Sequence, residues 1–319
     1  MHTDLKHSNQ RIAIFGGSGL LGESLIKRLL KISEIKIVIL DIEPPRLFFD
    51  YDRVFYIKCD VRKVNDKKIK EYLSGVDVVF FKVGKLGNPN LSLEIESAWE
   101  FMDVNAFSLM RILPLFNSIG IKKVIVDSSI TAVSDFSKSG GIIECDGPGT
   151  PSNFYGLSKA VLEDVCRVSK QLYNVNSFII RYPRVYSKDQ DNFINIFAKK
   201  IVNDEPIKLF GDIDKLIDII HINDATELAI KCIDYEGSLD VFHAAYNTAH
   251  TRRELVDLIL SESNQKQLPS EIVEGVISPR EPSSVFLDAI LTKQELDLNY
   301  TFSLRSIVQE ALEVARIVH

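Results

Sequence analysis

Short apolar runs alternate with longer stretches in which apolar residues recur every three or four positions. The runs RIAIF (11–15), KIVIL (36–40), VFYIK (54–58), VDVVFF (76–81), KKVIVD (122–127) and NSFIIR (176–181) predict buried strands. Between them, GESLIKRLLKI, NDKKIKEYL, SAWEFMDVNAFSLMRILPLFNSI and SKAVLEDVCRVSKQLY space their apolar residues for helices. Strands that are apolar throughout, alternating with helices, imply a parallel sheet covered on both faces. Its connections are expected to be right-handed crossovers. The predicted fold is α/β, a doubly wound parallel sheet with a smaller C-terminal α/β region. After about residue 188 the pattern loosens to a helix NFINIFAKKIVN, strands IKLFG and DIIHI, and a helix DATELAIKCI. TRRELVDLILSE, a Pro/Ser-rich loop around 278–284 and a last helix LRSIVQEALEVARIV follow. The division expected is 1–188, with segments at about 218–250 returning to it, and 189–319 as a second region that covers a cleft.

Composition narrows the classes. The chain has 319 residues, 45% of them hydrophobic, enough for a large core. Its net charge is −6 with no long basic run, so nucleic acid is not an expected partner. Cys59, Cys145, Cys166 and Cys232 are scattered without CxxC or Cys/His spacing, so no metal site is expected and the thiols suit a reducing compartment. The start, MHTDLKHSNQ, is polar, and no run is long enough to span a bilayer. The expectation is a soluble, cytoplasmic protein with no membrane partner.

The stretch RIAIFGGSGLLGESLIKRLL carries the first candidate chemistry. A strand, a GxxGxxG loop and a helix follow one another, and a phosphate needs just that: backbone donors, a helix N-terminus and no Cβ in the way. Gly16 suits the tight turn, Gly19 the close approach of a pyrophosphate, and Gly22 the packing of helix on strand. The next strand ends at Asp41, about 20 residues on, where a carboxylate accepts bonds from ribose hydroxyls and repels a 2′-phosphate. The arrangement is Rossmann-like and favours NAD; Arg46 nearby keeps NADP open.

The second signal is NFYGLSK, 153–159. Tyr155 and Lys159 are four apart and share a helix face. A phenol with an ordinary pKa of about 10 is a poor base at neutral pH, and a neighbouring ammonium lowers it. Ser128 and Ser129 follow the strand VIV, where a hydroxyl meets a substrate oxygen.

Together these residues resemble the extended short-chain dehydrogenase/reductase superfamily, in particular its NAD-dependent sugar-nucleotide epimerases and dehydratases. GGSGLLG resembles that family's glycine loop, with Leu20 and Leu21 at the cofactor beside the glycines. CDVR resembles its adenine contact, at Asp60 and Val61, and DVVFFKVGKLG its DVVIHLAG strand, with Val83 and Gly84 near the cofactor. DVNAFSLMRIL resembles NVxGTxxLL and places Asn105 beneath the cofactor; PSNFYGLSKAVLE resembles P.s.YG.SK..E. IRYPRVYS resembles LRYFNVYGP, which implies Pro183 against the nicotinamide and Arg184 at the start of a substrate pocket. DIIHINDAT resembles RDFIHVDDVA, and ISPREPSSVFLD resembles a late GRPGD…D segment, which implies Arg280 on a nucleotide phosphate. The family also pairs the helices at 97–119 and 156–173 across a twofold, which implies a homodimer.

The chain departs from the family at several points. SSITAVSD stands where SS(A/S)xVYG is usual, so the reactive hydroxyl falls on Ser129, with Ser128 the runner-up and Ile130 a third alignment. Arg184 replaces an asparagine, Ile217 an arginine and Ser187 a glycine. The resemblance implies a 4-epimerase on a nucleotide sugar, with Tyr155 as proton acceptor, Ser129 holding the developing ketone and Lys159 tuning the tyrosine. Family dehydratases carry an acid one or two positions past the hydroxyl; here those positions are Ile130 and Thr131, and Glu144 and Cys145 are the available substitutes. An NAD-linked reductase of a small alcohol or ketone, or a non-catalytic NAD-binding scaffold, are the other readings.

Overall fold

The computed structural model describes residues 10–32, 34–46, 52–64, 66–87, 94–134, 140–147, 149–207, 212–263 and 284–317. The first half runs β1 (Arg11–Phe15), α1 (Leu20–Ile32), β2 (Lys36–Asp41), β3 (Val54–Lys58), α2 (Asp66–Tyr72), β4 (Val78–Phe81), α3 (Ile95–Phe101), α4 (Ser108–Ser118), β5 (Lys123–Ser129), β6 (Gly140–Ile142), α5 (Phe154–Tyr173) and β7 (Asn176–Tyr182). The second half adds β8 (Arg184–Tyr186), α6 (Phe193–Val202), β9 (Leu216–Ile217), β10 (Ile219–His221), α7 (Ile222–Lys231) and β11 (Val241–His243). It closes with β12 (His250–Thr251), α8 (Arg252–Ser263), β13 (Val285–Leu287), α9 (Ile290–Leu296) and α10 (Leu304–Ile317).

Seven strands form one sheet in the order β11-β7-β5-β4-β1-β2-β3. Every pairing in it is parallel. The order reverses between β1 and β4, the switch point where ligands bind doubly wound sheets. The strand residues explain the layering. Ile12, Ile14, Ile37, Ile39, Phe80, Ile125 and Ile180 face one way, onto α1 and α7 through Leu25, Ala225 and Leu228. Ala13, Phe15, Val38, Leu40, Val79, Phe81 and Val126 face the other way, onto α4 and α5 through Leu109, Ile112 and Leu162. Period-two alternation with both faces apolar is what a buried parallel strand requires. A separate apolar cluster joins α6, α8 and α10 through Ile194, Ile201, Leu255, Ile259, Ile307 and Leu312. The expected strand IKLFG lies mostly outside the described residues.

One expected element is broken. The long helix read over 97–119 is two α-helices joined by a π-helical turn, Met102–Phe107. Such turns insert an extra residue and frequently mark functional sites. Here the inserted stretch carries Asn105.

Candidate active site

The glycine loop is closed by backbone contacts that leave no room for a side chain at Gly16 or Gly22. Gly16 has φ +74°, and a Cβ there would stand 2.7–2.8 Å from the backbone of Lys82 and Val83. A Cβ on Gly22 would stand 2.6–2.7 Å from Gly17 and from the Gly16 carbonyl, so α1 packs directly on the loop. Gly19 has space, with only the Gly16 oxygen at 3.4 Å from a would-be Cβ. Leu20 and Leu21 open α1. The loop therefore presents the N-terminus of α1 at the C-terminal edge of the sheet, a cradle that a Cβ at Gly16 or Gly22 would disrupt and that suits a pyrophosphate.

Asp41 ends β2 beside this loop. Its carboxylate accepts from Ser18 N at 3.0 Å and from Glu43 N at 3.3 Å. Asp60 follows β3 and caps the short turn that begins at Val61; Arg62 donates to its two oxygens at 2.9 and 2.8 Å. That hydrogen-bonded guanidinium holds the Asp60 carboxyl below its ordinary range. After β4, Val83 packs on the α4–α5 face of the core, and Gly84 lies under the lysine: a Cβ at Gly84 would meet Lys159 Nζ at 3.3 Å and Asn105 Oδ1 at 3.6 Å.

Asn105 is wholly buried. Its Oδ1 accepts from Lys85 N at 2.7 Å, while its Nδ2 donates to Lys85 O at 3.2 Å and to Ser158 Oγ at 2.9 Å. The π-helical turn aims this amide at the strand-end loop and at α5 together. Sequence periodicity carries no signal for the turn, because one extra residue hardly alters an apolar count.

The three candidate catalytic side chains converge. Asn153 caps α5 by accepting from Gly156 N at 2.8 Å, and Gly156 packs so closely on the Thr131 carbonyl that a Cβ would come within 2.4 Å of it. This contact brings the first turn of α5 against the end of β5. There Ser129 Oγ accepts from Thr131 N at 3.2 Å and from Thr131 Oγ1 at 2.9 Å. With both acceptor directions filled, the Ser129 proton is left to donate, and the Ser129 hydroxyl acts on the Tyr155 phenol so as to favour its ionised form. Ser128, one residue earlier, faces the opposite side of the sheet and donates to Glu163 Oε1 at 2.7 Å. Glu163 is itself held by Arg181 at 3.0 and 2.8 Å and by Arg167 at 2.9 Å. The two serines, open alternatives in the sequence, are thus separated by strand alternation. Ile130 packs towards a small C-terminal cluster around Val133, Ile142 and Leu287.

Lys159 lies one turn after Tyr155, is 4% exposed and donates to the Asp127 carbonyl at 2.9 Å. Burial lowers its ammonium to about 8, against the charges of Asp127 and Glu163, which raise it. Tyr155 differs from the sequence expectation of a depressed phenol. Burial raises it above its ordinary value, the nearby Ser129 hydroxyl opposes this, and the Asp127 charge adds to the rise. The Phe101 ring stands edge-on to it, 6.0 Å between centroids, and contributes to the desolvation.

The substrate candidates are less concentrated. Pro183 is buried at the end of β7. Arg184 is exposed on β8, its guanidinium 5.9 Å from the centre of the Phe193 ring, and β8 lies beside β10 with Arg184 opposite Ile219. Arg280 lies outside the described residues. Glu144 is 3% exposed and accepts from Thr292 N at 2.8 Å and Thr292 Oγ1 at 2.7 Å, so it anchors the start of α9. Among the described residues no cluster of three metal-ligating side chains occurs, and no helix is long and apolar enough to cross a membrane.

The family model for the NAD dependent epimerase/dehydratase family matches residues 12–247. The chain belongs to that family. Its glycine loop, Asn105 and the Ser129–Tyr155–Lys159 cluster all fall within the matched span. A putative UDP-glucose 4-epimerase of Methanocaldococcus jannaschii is 23% identical over 258 residues, which cover 79% of this chain and 82% of that protein. A dTDP-4-dehydro-6-deoxyglucose reductase of Escherichia coli is 26% identical over 273 residues, 80% of this chain and 82% of that one. Among solved structures, a UDP-glucuronic acid 4-epimerase from Bacillus cereus in complex with UDP-glucuronic acid and NAD superposes with a TM-score of 0.81 at 20% identity, covering 97% of this chain and 100% of that chain. The Rossmann-like fold is therefore shared along nearly the whole length.

Proposed function

We propose that this family member is a nucleotide-sugar 4-epimerase that uses tightly held NAD. The observation that carries the reading is the meeting of Tyr155 with Ser129 at the end of β5, with Lys159 one helical turn away beside Gly84. NAD fits the cradle of Gly16, Gly19 and Gly22, with Leu20 and Leu21 at its edge. Asp41 would hold the adenine ribose, Asp60 and Val61 the adenine, and Val83, Gly84, Asn105, Lys159 and Pro183 the nicotinamide half. When bound, NAD accepts and returns the ring hydride and brings a positive ring charge to the site. Tyr155 takes the proton of the sugar hydroxyl and later returns it. Ser129, its own oxygen held by Thr131, donates to the sugar oxygen as it becomes a carbonyl. Lys159 offsets the burial that makes Tyr155 a weak acid. Arg184, and Arg280 by family resemblance, supply cations for the nucleotide phosphates.

Two features favour epimerisation over dehydration. Ile130 and Thr131 hold the positions where elimination needs an acid. Glu144, the substitute carboxylate considered above, is occupied by Thr292. We further infer a cytoplasmic homodimer. Leu157, Val168 and Leu172 form an exposed apolar stripe on α5, and Trp99 and Met110 are exposed on the neighbouring helices α3 and α4. Such a patch suits a second copy of the chain. The test is incubation of the purified protein with UDP-, dTDP-, GDP- and CDP-sugars and NMR analysis of the products. An inverted C4 centre is the expected result; a 4-keto-6-deoxy product, or no turnover of any sugar, refutes the reading.

A further inference from the structure

A charged pair is buried against the reacting groups. Lys82 follows β4 and Asp127 lies in β5. The register sets Phe81 beside Val126, so Lys82 and Asp127 come next, side by side. Lys82 Nζ stands 2.9 and 3.0 Å from the two carboxylate oxygens, with the side chains 2% and 9% exposed. The Phe80 and Tyr182 rings lie 5.6 and 5.8 Å from the ammonium. Desolvating two ions costs several kcal/mol each, and an apolar pair of similar volume is often as stable. The resembled strand DVVIHLAG has a leucine where Lys82 stands, so the fold does not require the charge.

The pair touches the proposed chemistry at two points. The carbonyl of the same Asp127 is the acceptor for Lys159 Nζ at 2.9 Å. The Asp127 charge also raises Tyr155 and Lys159, whereas Lys82 lowers Lys159. The other titratable groups facing this cluster are Glu163 and Cys166 on α5, Tyr182 on β7 and Cys232 after α7. Glu163 is paired with Arg181 and Arg167. Burial pushes both thiols and the Tyr182 phenol upward, which keeps them neutral.

We propose that Lys82 and Asp127 are positioning residues, a charge-compensated pair that seats Lys159 and balances the electrostatic field at Tyr155. The proposal rests on the roles given above to Tyr155 and Lys159. Removing one charge leaves the other acting on the phenol, so the two single variants act in opposite directions. Lys82→Met leaves a carboxylate, which disfavours the phenolate; Asp127→Asn leaves an ammonium, which favours it.

The test is the pH profile of kcat for wild type, Lys82→Met, Asp127→Asn, the double variant and Lys82→Arg. The rising limb is expected to move up by about one pH unit in Lys82→Met and down by a similar amount in Asp127→Asn, roughly tenfold in rate on the limb. The double variant and Lys82→Arg are expected to return towards the wild-type profile. Phenolate absorbance in the NAD complex, taken as the difference from Tyr155→Phe, gives the same titration without substrate. If wild type turns over no nucleotide sugar, the proposed function fails while this titration still tests the pair. Should one single variant not fold, the other and the double variant still report a shift and its reversal. Unchanged profiles, or shifts of the same sign in both single variants, overturn the proposal.

Discussion

Ser128 and Ser129 offer a double dissociation that tests the active-site reading directly. Ser129→Ala removes the hydroxyl proposed to donate to the substrate oxygen and leaves Thr131 without its acceptor, in a partly buried turn. The loss of one preorganised donor is worth ~10²–10³ in turnover, or about 2.7–4 kcal/mol of barrier. NAD affinity and melting temperature should change little. Ser128→Ala instead strips a 2.7 Å hydrogen bond from the fully buried Glu163 carboxylate. A hydrogen bond to a charged group contributes about 1.5–3 kcal/mol, lost here as stability. An unfolding entropy of about 2.1 cal/mol/K per residue over 319 residues converts this into a fall in Tm of roughly 2–5 °C. Turnover per folded molecule should stay within a few-fold. The assays are NMR-followed epimerisation, scanning calorimetry and NAD titration on each variant. A large turnover loss in Ser128→Ala with normal rates in Ser129→Ala refutes the assignment and moves the reactive hydroxyl to the other side of the strand.

Three further outcomes are expected. Tyr155→Phe keeps the ring against Phe101 and removes the hydroxyl, so NAD binding should survive while turnover falls by about 10²–10⁴; full activity in this variant contradicts the proton-acceptor role. Isothermal titration should give tighter binding of NAD than of NADP, and Asp41→Ala should narrow the gap; tighter NADP binding by the wild type removes the role given to Asp41. His243 is buried, and burial together with the Arg181 charge lowers it to about 4. Its ordinary value is about 6.5, so its stabilising contribution is complete above that pH and is lost as pH falls towards 4, on the order of 3 kcal/mol. Urea melts between pH 7 and 4 should therefore show a steeper loss in wild type than in His243→Gln, and parallel slopes would contradict it.

The parts of this protein that are legible in its sequence are those written in local spacing. The glycines, the strand-helix alternation of the first half and the YxxxK pair each depend on local spacing: the glycines join β1 to α1, and Tyr155 and Lys159 lie in the first two turns of α5. The choice between Ser128 and Ser129 is less accessible, because it depends on which face of β5 meets the start of α5. One residue of register reverses the answer. The π-helical turn at 102–107 is hidden for a related reason: the bonds that anchor it run from Asn105 to Lys85 and Ser158, 20 and 53 residues away. Lys82 and Asp127 are 45 residues apart, and only the pairing of β4 with β5 makes them neighbours. The elevation of Tyr155 likewise depends on burial, which four-residue spacing does not report.

The place of β11 in the sheet bears on how the chain assembles during synthesis. The strand that flanks β7 is not made next; about 60 residues, including all of α6, β8, β10 and α7, separate the end of β7 from the start of β11. At about 5–20 residues per second, the ribosome leaves the β7 edge open for roughly 3–12 seconds. An open edge of this kind offers unpaired backbone groups to any other chain. The first six sheet strands are thus available to form before the sheet can be finished. A chain released near residue 188 would keep the nucleotide loop and the Tyr155 helix yet lack the strand that closes β7. Such a fragment is expected to aggregate rather than to persist as a free-standing module.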